Sequence, residues 1–224
     1  MSAVPELSGF DGVARLFPLP NLVLFPGVTQ GLHIFEPRYR QMTADALAGD
    51  RLLATVLLQP GHEAEYEGRP PIFQMACLGK ITESKHLENG RYNLQLQGLA
   101  RIQIESEMAE GLLYRRAHVK ILADAAPADR RAERQVRTEL KEILEAWCSS
   151  DSAVGEAFQK LITSDVALGL VCDVIAYALP LELGWKQELL EAADVEVRAA
   201  RLLGYLRTVR VEHHPVFPPD FSDN

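Results

Sequence analysis

Cysteine is scarce in this sequence of 224 residues, and its three copies stand far apart. Cys77, Cys148 and Cys172 form no C-x-x-C pair. An odd count without short spacing fits neither a disulfide framework nor a zinc site built on paired cysteines. We therefore expect reduced and mostly buried thiols in a cytoplasmic protein.

Long hydrophobic runs are also missing. The longest apolar region, residues 166–185, is interrupted by Asp173, Pro180 and Glu182, which a bilayer span would tolerate poorly. The first ten residues, MSAVPELSGF, contain neither the basic region nor the apolar region of a signal peptide. We expect a chain without a membrane span or a cleaved leader.

Basic residues are outnumbered, and the formal net charge is −8 at pH 7. Residues 1–122 contain 12 Lys and Arg against 13 Asp and Glu, whereas residues 123–224 contain 11 against 18. Because proteins that bind a phosphate backbone normally carry a basic face, nucleic acid is a disfavoured partner. With 47% hydrophobic residues, the chain has ample material for the core of one large or two small domains.

Motifs of catalysis and metal binding are absent as well. The sequence contains no G-x-x-x-x-G-K-[ST] phosphate loop, and its run GKIT at residues 79–82 lies inside a strand pattern. The pair His62-Glu63 does not continue as the zinc motif H-E-x-x-H, and His213 and His214 only begin a proline-rich tail. We therefore expect no catalytic residue, no metal site and no cofactor.

Short strand patterns dominate the first half of the chain. Residues 52–58 and 72–81 are apolar runs of strand length, and Asn89-Gly90 is a favoured hairpin turn. Apolar and polar residues alternate from residue 92 to 104, which indicates one buried and one solvated face. Residues 112–122 predict a further strand. One helix interrupts the series, from a proline at position 37 to a glycine at position 49.

The pattern becomes helical at residue 124. Apolar residues recur at helical spacing over four segments, which predicts helices near residues 127–147, 154–162, 165–179 and 194–209. Ser164 or Asp165 is a suitable N-cap for the third helix, and Asp194 for the last. The sequence predicts an α+β protein with a β-rich domain at 1–123, a helical domain at 124–212 and an extended tail at 213–224.

Two stretches carry a family resemblance. Residues 17–42 read FPLPNLVLFPGVTQGLHIFEPRYRQM, with the elements P-L-P, F-P-G and I-F-E-P-R-Y-R in order. Residues 178–206 contain L-P-L, then K-Q-E-L-L-E, then D-V followed by Arg198. Between them, residues 79–81 and 97–102 match G-x-I and G-x-x-R strands. In this order the segments resemble the N-terminal domain of the Lon ATP-dependent protease family, specifically its stand-alone bacterial relatives.

The resemblance covers residues 16–212 and implies a fold and a function. The implied fold is a PUA-like β-pseudobarrel with one inserted helix, followed by a C-terminal α-helical bundle. The implied function is non-catalytic recognition of unfolded or tagged polypeptides, beside a partner protease or chaperone. We expect neither the ATPase domain nor the protease domain of that family to accompany the matched segments.

The motif Phe35–Arg40 is the expected binding region. Phe35, Glu36, Arg38 and Tyr39 combine aromatic and charged side chains that suit an exposed patch. The alternative is structural, with Phe35 and Tyr39 in the core and Arg38 paired to Glu36. Arg38 and Arg40 lie two positions apart on a short helix and therefore face different directions, so one of them is expected to pair with Glu36 while the other stays exposed.

Two other functions remain open on the sequence alone. PUA-like barrels also bind RNA, although the β-rich part carries a net charge of −1 and a single basic doublet, Arg115-Arg116. A barrel pocket can also hold a small-molecule enzyme site, which would need a cleft with perturbed ionisable groups.

Overall fold

A computed structural model describes residues 7–109, 111–147, 153–208 and 222–223. These residues form two compact units, and the division lies between Ala123 and Asp124. We call the first the β unit, which also includes residues 222–223, and the second the helical unit. Cys148, the two adjacent histidines and the predicted tail, apart from Ser222 and Asp223, lie outside the described residues.

Strands build most of the β unit. It contains one α-helix, α1, and seven strands in the described residues: β1 (Val13–Leu19), β2 (Thr29–Ile34), α1 (Pro37–Ala48), β3 (Leu52–Leu57), β4 (Met75–His86), β5 (Tyr92–Glu107), β6 (Arg115–Leu122) and β7 (Ser222–Asp223). The strand order is β4-β3-β1-β6-β5-β2-β7, and β4 also pairs with β5. Five strands therefore form a closed ring of pairings, while β2 and β7 lie outside it.

The long strand β5 joins the ring to the outer strands. Its first half pairs with β2 and its second half with β6, while β4 pairs along nearly its whole length. The strand changes partner at Gly98, where an added Cβ would overlap the carbonyl oxygen of Phe25. Gly98 also exchanges backbone hydrogen bonds with Val28 and Gly27, each at 2.8 Å. Glycine is required here because the backbones approach too closely for a side chain.

Helix α1 packs one face onto the sheet. It begins at Pro37, whose missing N–H is not needed in the first turn, and it ends before Gly49. Tyr39, Met42, Thr43 and Ala46 are its buried residues, at the spacing of one helical face. The inserted helix is therefore held by a stripe that the sequence pattern contains.

The α+β class is confirmed, but two predicted strand limits are wrong. The run expected to begin at residue 72 forms only an isolated bridge there, and β4 starts at Met75. The strand expected over 112–122 starts at Arg115, and residues 111–114 form a loop. The loop carries two leucines that an alternating strand could not have buried together.

Five helices build the helical unit in the described residues: α2 (Arg130–Trp147), α3 (Ala153–Thr163), α4 (Leu168–Ala178), α5 (Leu183–Glu191) and α6 (Val195–Thr208). Helix α4 begins after Ala167, so neither Ser164 nor Asp165 caps it, contrary to expectation. Asp194 does cap α6, where its Oδ1 accepts hydrogen bonds from the backbone N–H groups of Glu196 and Val197. None of the helices in the described ranges is long and apolar enough to cross a membrane.

A fully buried arginine fastens the helical unit. The Arg198 guanidinium contacts the carboxylates of Asp124 and Asp173, at 2.9 and 3.2 Å from Nη1. Its Nε donates to the carbonyl oxygen of Ala192 at 2.9 Å. Lys186 acts similarly at the end of α4, because its Nζ donates to a terminal carbonyl oxygen there, that of Tyr177, at 2.8 Å. Arg198 and Lys186, which belong to the motif over residues 178–206, therefore stabilise the helical unit.

Candidate functional site

A cavity of about 530 Å³ opens in the β unit beside the first turn of α1. Its walls come from that turn, from the loop 66–70 and from the loop 111–115. The lining residues include arginines and tyrosines as well as prolines and leucines. A concave surface with apolar walls and a few fixed polar groups is the usual form of a binding site.

Arg38 is part of the cavity wall. Its guanidinium lies 4.5 Å from the ring centroid of Tyr39 and 4.6 Å from that of Tyr66, so it is stacked on both rings. Its Nε donates a hydrogen bond to Oε2 of Glu36 at 2.9 Å. The side chains of Arg38 and Glu36 are 16% and 17% exposed. We call Glu36, Arg38, Tyr39 and Tyr66 the arginine clamp.

The two tyrosines of the clamp are kept protonated. Burial raises the pKa of Tyr39 to about 12, although the nearby Arg38 charge opposes the shift. Burial also raises the pKa of Tyr66, and the neighbouring Tyr39 and Glu36 add to this effect. The Tyr39 ring packs on Phe17 with 4.5 Å between centroids. The phenols therefore supply aromatic surface and hydrogen-bond donors, and they are poor general bases at neutral pH.

A second charged group borders the cavity. Nε of Arg115 donates to Oε2 of Glu107 at 2.9 Å, and Nη2 of Arg69 donates to the same oxygen at 3.1 Å. Nη1 of Arg115 donates to the carbonyl oxygen of Pro70 at 2.7 Å. The hydrogen bond from Arg115 is the main reason why the pKa of Glu107 is lowered, and burial opposes it. Two arginines thus share one carboxylate here, which neutralises one of their two charges.

Two exposed leucines form the apolar rim of the cavity. Leu112 and Leu113 are 38% and 65% exposed. The loop that carries them is fixed to α1, because the backbone N–H of Leu113 donates to Oε1 of Gln41 at 3.3 Å. The Tyr114 hydroxyl also donates to Oδ2 of Asp45 at 2.8 Å. The rim is therefore an apolar surface on a tethered loop.

The structure separates the four expected binding residues. Glu36, Arg38 and Tyr39 meet in the clamp, and the expected ion pair between Arg38 and Glu36 is present. Tyr39 is 2% exposed and belongs to the core, as the structural alternative held. Phe35 is 41% exposed and stacks on His33, with 6.1 Å between centroids. It lies at the end of β2, apart from the residues that line the cavity.

Sequence reasoning missed the residues that come from the two loops. Tyr66 contacts Arg38 of α1 and Arg69 contacts Glu107 of β5, and no local sequence pattern predicts either contact. The leucine doublet was a usable signal, because two adjacent leucines cannot both face the inside of an alternating strand. Arg115 was noticed as part of a basic doublet, but only its position next to Glu107 explains it.

Other candidate residues form no second site in the described ranges. His62 lies with its Nδ1 3.6 Å from a carboxylate oxygen of Glu65. Cys77 and Cys172 are buried. No three His, Cys, Asp or Glu side chains among the described residues are grouped as metal ligands. The arginine clamp and its leucine rim are the strongest candidate site.

A family model and the curated relatives of this chain point to the same family. The family model of the ATP-dependent protease La (LON) substrate-binding domain matches residues 13–208. "Lon protease 2" of Myxococcus xanthus is 25% identical over 88% of this chain, and "Lon protease 2" of Herpetosiphon aurantiacus is 27% identical over 89%. In both cases the match spans 24% of the relative, so the chain corresponds to about a quarter of their length.

Solved structures show the same fold. The Lon N-terminal domain protein from Xanthomonas campestris superimposes with a TM-score of 0.64 at 23% identity, covering 86% of this chain and 98% of that one. The N-terminal domain of Mycobacterium avium complex Lon protease gives a TM-score of 0.67 at 17% identity, covering 88% and 98%.

Proposed function

Because the chain belongs to the family of ATP-dependent protease La (LON) substrate-binding domains, we propose that it is a non-catalytic, cytoplasmic module that recognises polypeptide segments. The observation that carries this proposal is the apolar rim of Leu112 and Leu113 beside the arginine clamp. Unfolded or tagged chains expose apolar side chains together with backbone carbonyl groups, and this surface offers contacts to both.

Each part of the site has a separate task in this proposal. The rim leucines contact an apolar side chain of the client, and their burial drives association. Arg69, whose side chain is 40% exposed, donates hydrogen bonds to a client carbonyl or carboxylate oxygen at the edge of the cavity. The clamp keeps the wall rigid, because Arg38 is stacked between two rings and tied to Glu36.

The charges of the cavity favour recognition over chemistry. Burial shifts the pKa of Tyr39 away from neutrality, to about 12, so this group gains no reactivity from its environment. Three carboxylates lie beside the three arginines of the cavity: Glu36, Glu67 and Glu107 against Arg38, Arg69 and Arg115. No net positive charge therefore remains for a phosphate backbone. These contacts support polypeptide recognition over the RNA-binding and small-molecule alternatives.

The proposal extends to fold description and to partners. The closed ring of five strand pairings supports describing the β unit as a PUA-like pseudobarrel, with the helical unit as a bundle. The curated relatives are Lon proteases four times as long as the matched region. A protease or chaperone that receives the client is therefore the partner we propose.

Binding of an unfolded model protein tests the function. Fluorescein-labelled casein is titrated with the full chain, and its fluorescence polarisation is followed. We expect the double variant Leu112→Ser/Leu113→Ser to bind about tenfold more weakly, a change of about 1.4 kcal/mol, because apolar rim surface is lost.

The control variant changes an apolar residue that is similarly exposed but lies away from the cavity. Ile121 is 40% exposed on β6 and does not line the cavity, so Ile121→Ser should bind casein like the unchanged protein. Both variants should unfold within about 0.5 kcal/mol of the unchanged chain, as is usual for surface positions. Equal loss of binding in the control, or none in the rim variant, would contradict the proposed site.

A further inference from the structure

Strand β2 has one edge that is almost open. Its other edge pairs with β5 at all six residues, from Thr29 opposite Gln97 to Ile34 opposite Tyr92. On the open edge the only strand among the described residues is β7, which contributes two residues. Edge strands present rows of backbone N–H and C=O groups that can pair with another segment.

The segment on this edge is the end of the chain itself. Ser222 lies opposite Leu32 and Asp223 opposite His33, in a parallel arrangement. The pairing is therefore a strand addition by a segment that is about 190 residues distant from β2 in the sequence. Its short length means that few hydrogen bonds hold it, and such a contact is readily exchanged.

The outer face next to this edge is aromatic. Leu32 and Ile34 are buried, whereas His33 is half-buried and Phe35 is exposed, as alternation along the strand requires. Nδ1 of His33 is 2.7 Å from Oδ1 of Asn93, and its ring stacks on Phe35. A strand added to the edge would place alternate side chains beside these two rings. Phe35 thereby acquires a partner that the cavity does not give it.

We propose that the open edge of β2 is a docking strand for an extended segment of a polypeptide client, added parallel to β2, and that Ser222–Asp223 occupies it in cis as a competitor. This inference rests on the proposed function, because the client is the same class of polypeptide. Strand addition recognises backbone groups and tolerates many sequences, while side-chain contacts set preference. The preferred client has an aromatic or apolar side chain directed toward His33 and Phe35.

Tethering explains how so short a segment competes. A tethered segment experiences an effective concentration on the order of millimolar, so weak pairing suffices to keep it in place. If Ser222 and Asp223 occupy the edge about 90% of the time, only about a tenth of the molecules accept a client, and the apparent affinity falls about tenfold. The tail would then set a threshold that only well-matched or multivalent clients pass.

The test uses the chain's own tail as the probe. A fluorescein-labelled peptide with the sequence of residues 213–224 is titrated with the full chain and with a chain that ends at Pro219. We expect the shortened chain to bind the peptide about tenfold more tightly, because its edge is unoccupied. A matched peptide that is N-methylated at Ser222 and Asp223 retains the side chains but cannot donate from these backbone positions, and it should not bind.

The peptide controls also separate folding from docking, since both peptides meet the same shortened chain. Equal affinity of the two chains for the peptide, or equal binding of the N-methylated peptide, would overturn the proposal.

Casein distinguishes this inference from the proposed function. Casein should bind the shortened chain more tightly than the full chain, and the tail peptide should displace it. If casein binds both chains equally and the peptide does not displace it, the polypeptide function stands and the docking edge is wrong. If the peptide binds but casein binds neither chain, both the client function and the client's use of this edge are wrong.

Discussion

The helical unit contains a fully buried arginine, whereas the β unit has a partly exposed one at its cavity, and the two are used differently. Arg198 is fully buried and is surrounded by two carboxylates and two carbonyl oxygens. Arg38 keeps 16% of its side chain exposed, has one carboxylate partner and lies between two aromatic rings at a cavity. An arginine with all its donors engaged holds structure, whereas one with an open face also offers a surface to a ligand.

The largest effect is expected at Arg198. Arg198→Leu keeps apolar volume but leaves the carboxylate of Asp173, whose side chain is 2% exposed, without its arginine. Removing one partner of a buried ion pair typically costs about 3–5 kcal/mol. Urea unfolding, monitored by circular dichroism, should show this loss in the free energy of unfolding. Asp124→Asn is the matched milder change, because that side chain is 36% exposed and should lose less. If Arg198→Leu lowers the free energy of unfolding by less than about 1 kcal/mol, Arg198 does not have the structural role assigned to it.

Arg38→Ala should give an intermediate result. The ion pair with Glu36 is only mostly buried, so we expect a loss of about 1–3 kcal/mol in the free energy of unfolding. Casein binding should fall further than unfolding explains when both are measured at a temperature where the variant is folded. Arg38→Lys retains the charge but loses the planar stacking on Tyr39 and Tyr66, and it should recover only part of the stability. Binding that falls only in proportion to unfolding would make Arg38 a purely structural residue.

Lys186 extends the comparison to a buried cation without a carboxylate. Burial lowers the pKa of Lys186 to about 8, below the ordinary 10.5 expected in the unfolded chain. Between these two pKa values the unfolded state binds more protons than the folded state, so the free energy of unfolding rises with pH. Below pH 8 Lys186 is charged in both states, and the folded protein bears the whole cost of the buried charge.

The measurement compares the unchanged protein with Lys186→Met from pH 7 to pH 10. The unchanged chain should gain about 2–3 kcal/mol relative to the variant over this range. Other titrating groups are common to both proteins and cancel in the difference. A difference that stays flat with pH would show that Lys186 remains charged in the folded protein.

Local pattern was sufficient for much of the fold. Both patterns predicted strands correctly: β3 is an unbroken apolar run that is buried on both faces, and β5 alternates because one of its faces is buried. Pro37 and Asp194 marked helix starts correctly. Helix α5 was missed because Gly184 lies in its first turn and its nine residues make a weak stripe. Its lysine tie to Tyr177 forms only once the chain is folded.

The candidate site shows where sequence reasoning ends. The pairing of Arg38 with Glu36 is a contact of near neighbours, and the sequence predicted it. The stacking of Arg38 on Tyr66 and the placement of the rim leucines join segments 28 and about 70 residues apart, which no periodicity encodes. Strand β2 was not among the strands that the residue patterns predicted, and that Ser222 and Asp223 lie on its edge follows only from the topology.

The smallest effect is expected from Tyr39→Phe. The Tyr39 hydroxyl reaches the carbonyl oxygen of Pro18 only at 3.5 Å, so its loss should cost less than about 1 kcal/mol at pH 7. The ring contacts with Phe17 and Arg38 remain, and casein binding should not change.

The pH dependence should differ, because the pKa of Tyr39 is raised to about 12 in the folded state, above the ordinary 10.0. The unfolded chain then loses this proton first, and stability falls as pH rises from 10 to 12. Tyr39→Phe should escape part of that fall, so the two proteins should converge or cross in stability near pH 11. If the variant loses stability in parallel with the unchanged protein, the clamp does not hold Tyr39 protonated and its ring is more open to solvent than the arginine stack implies.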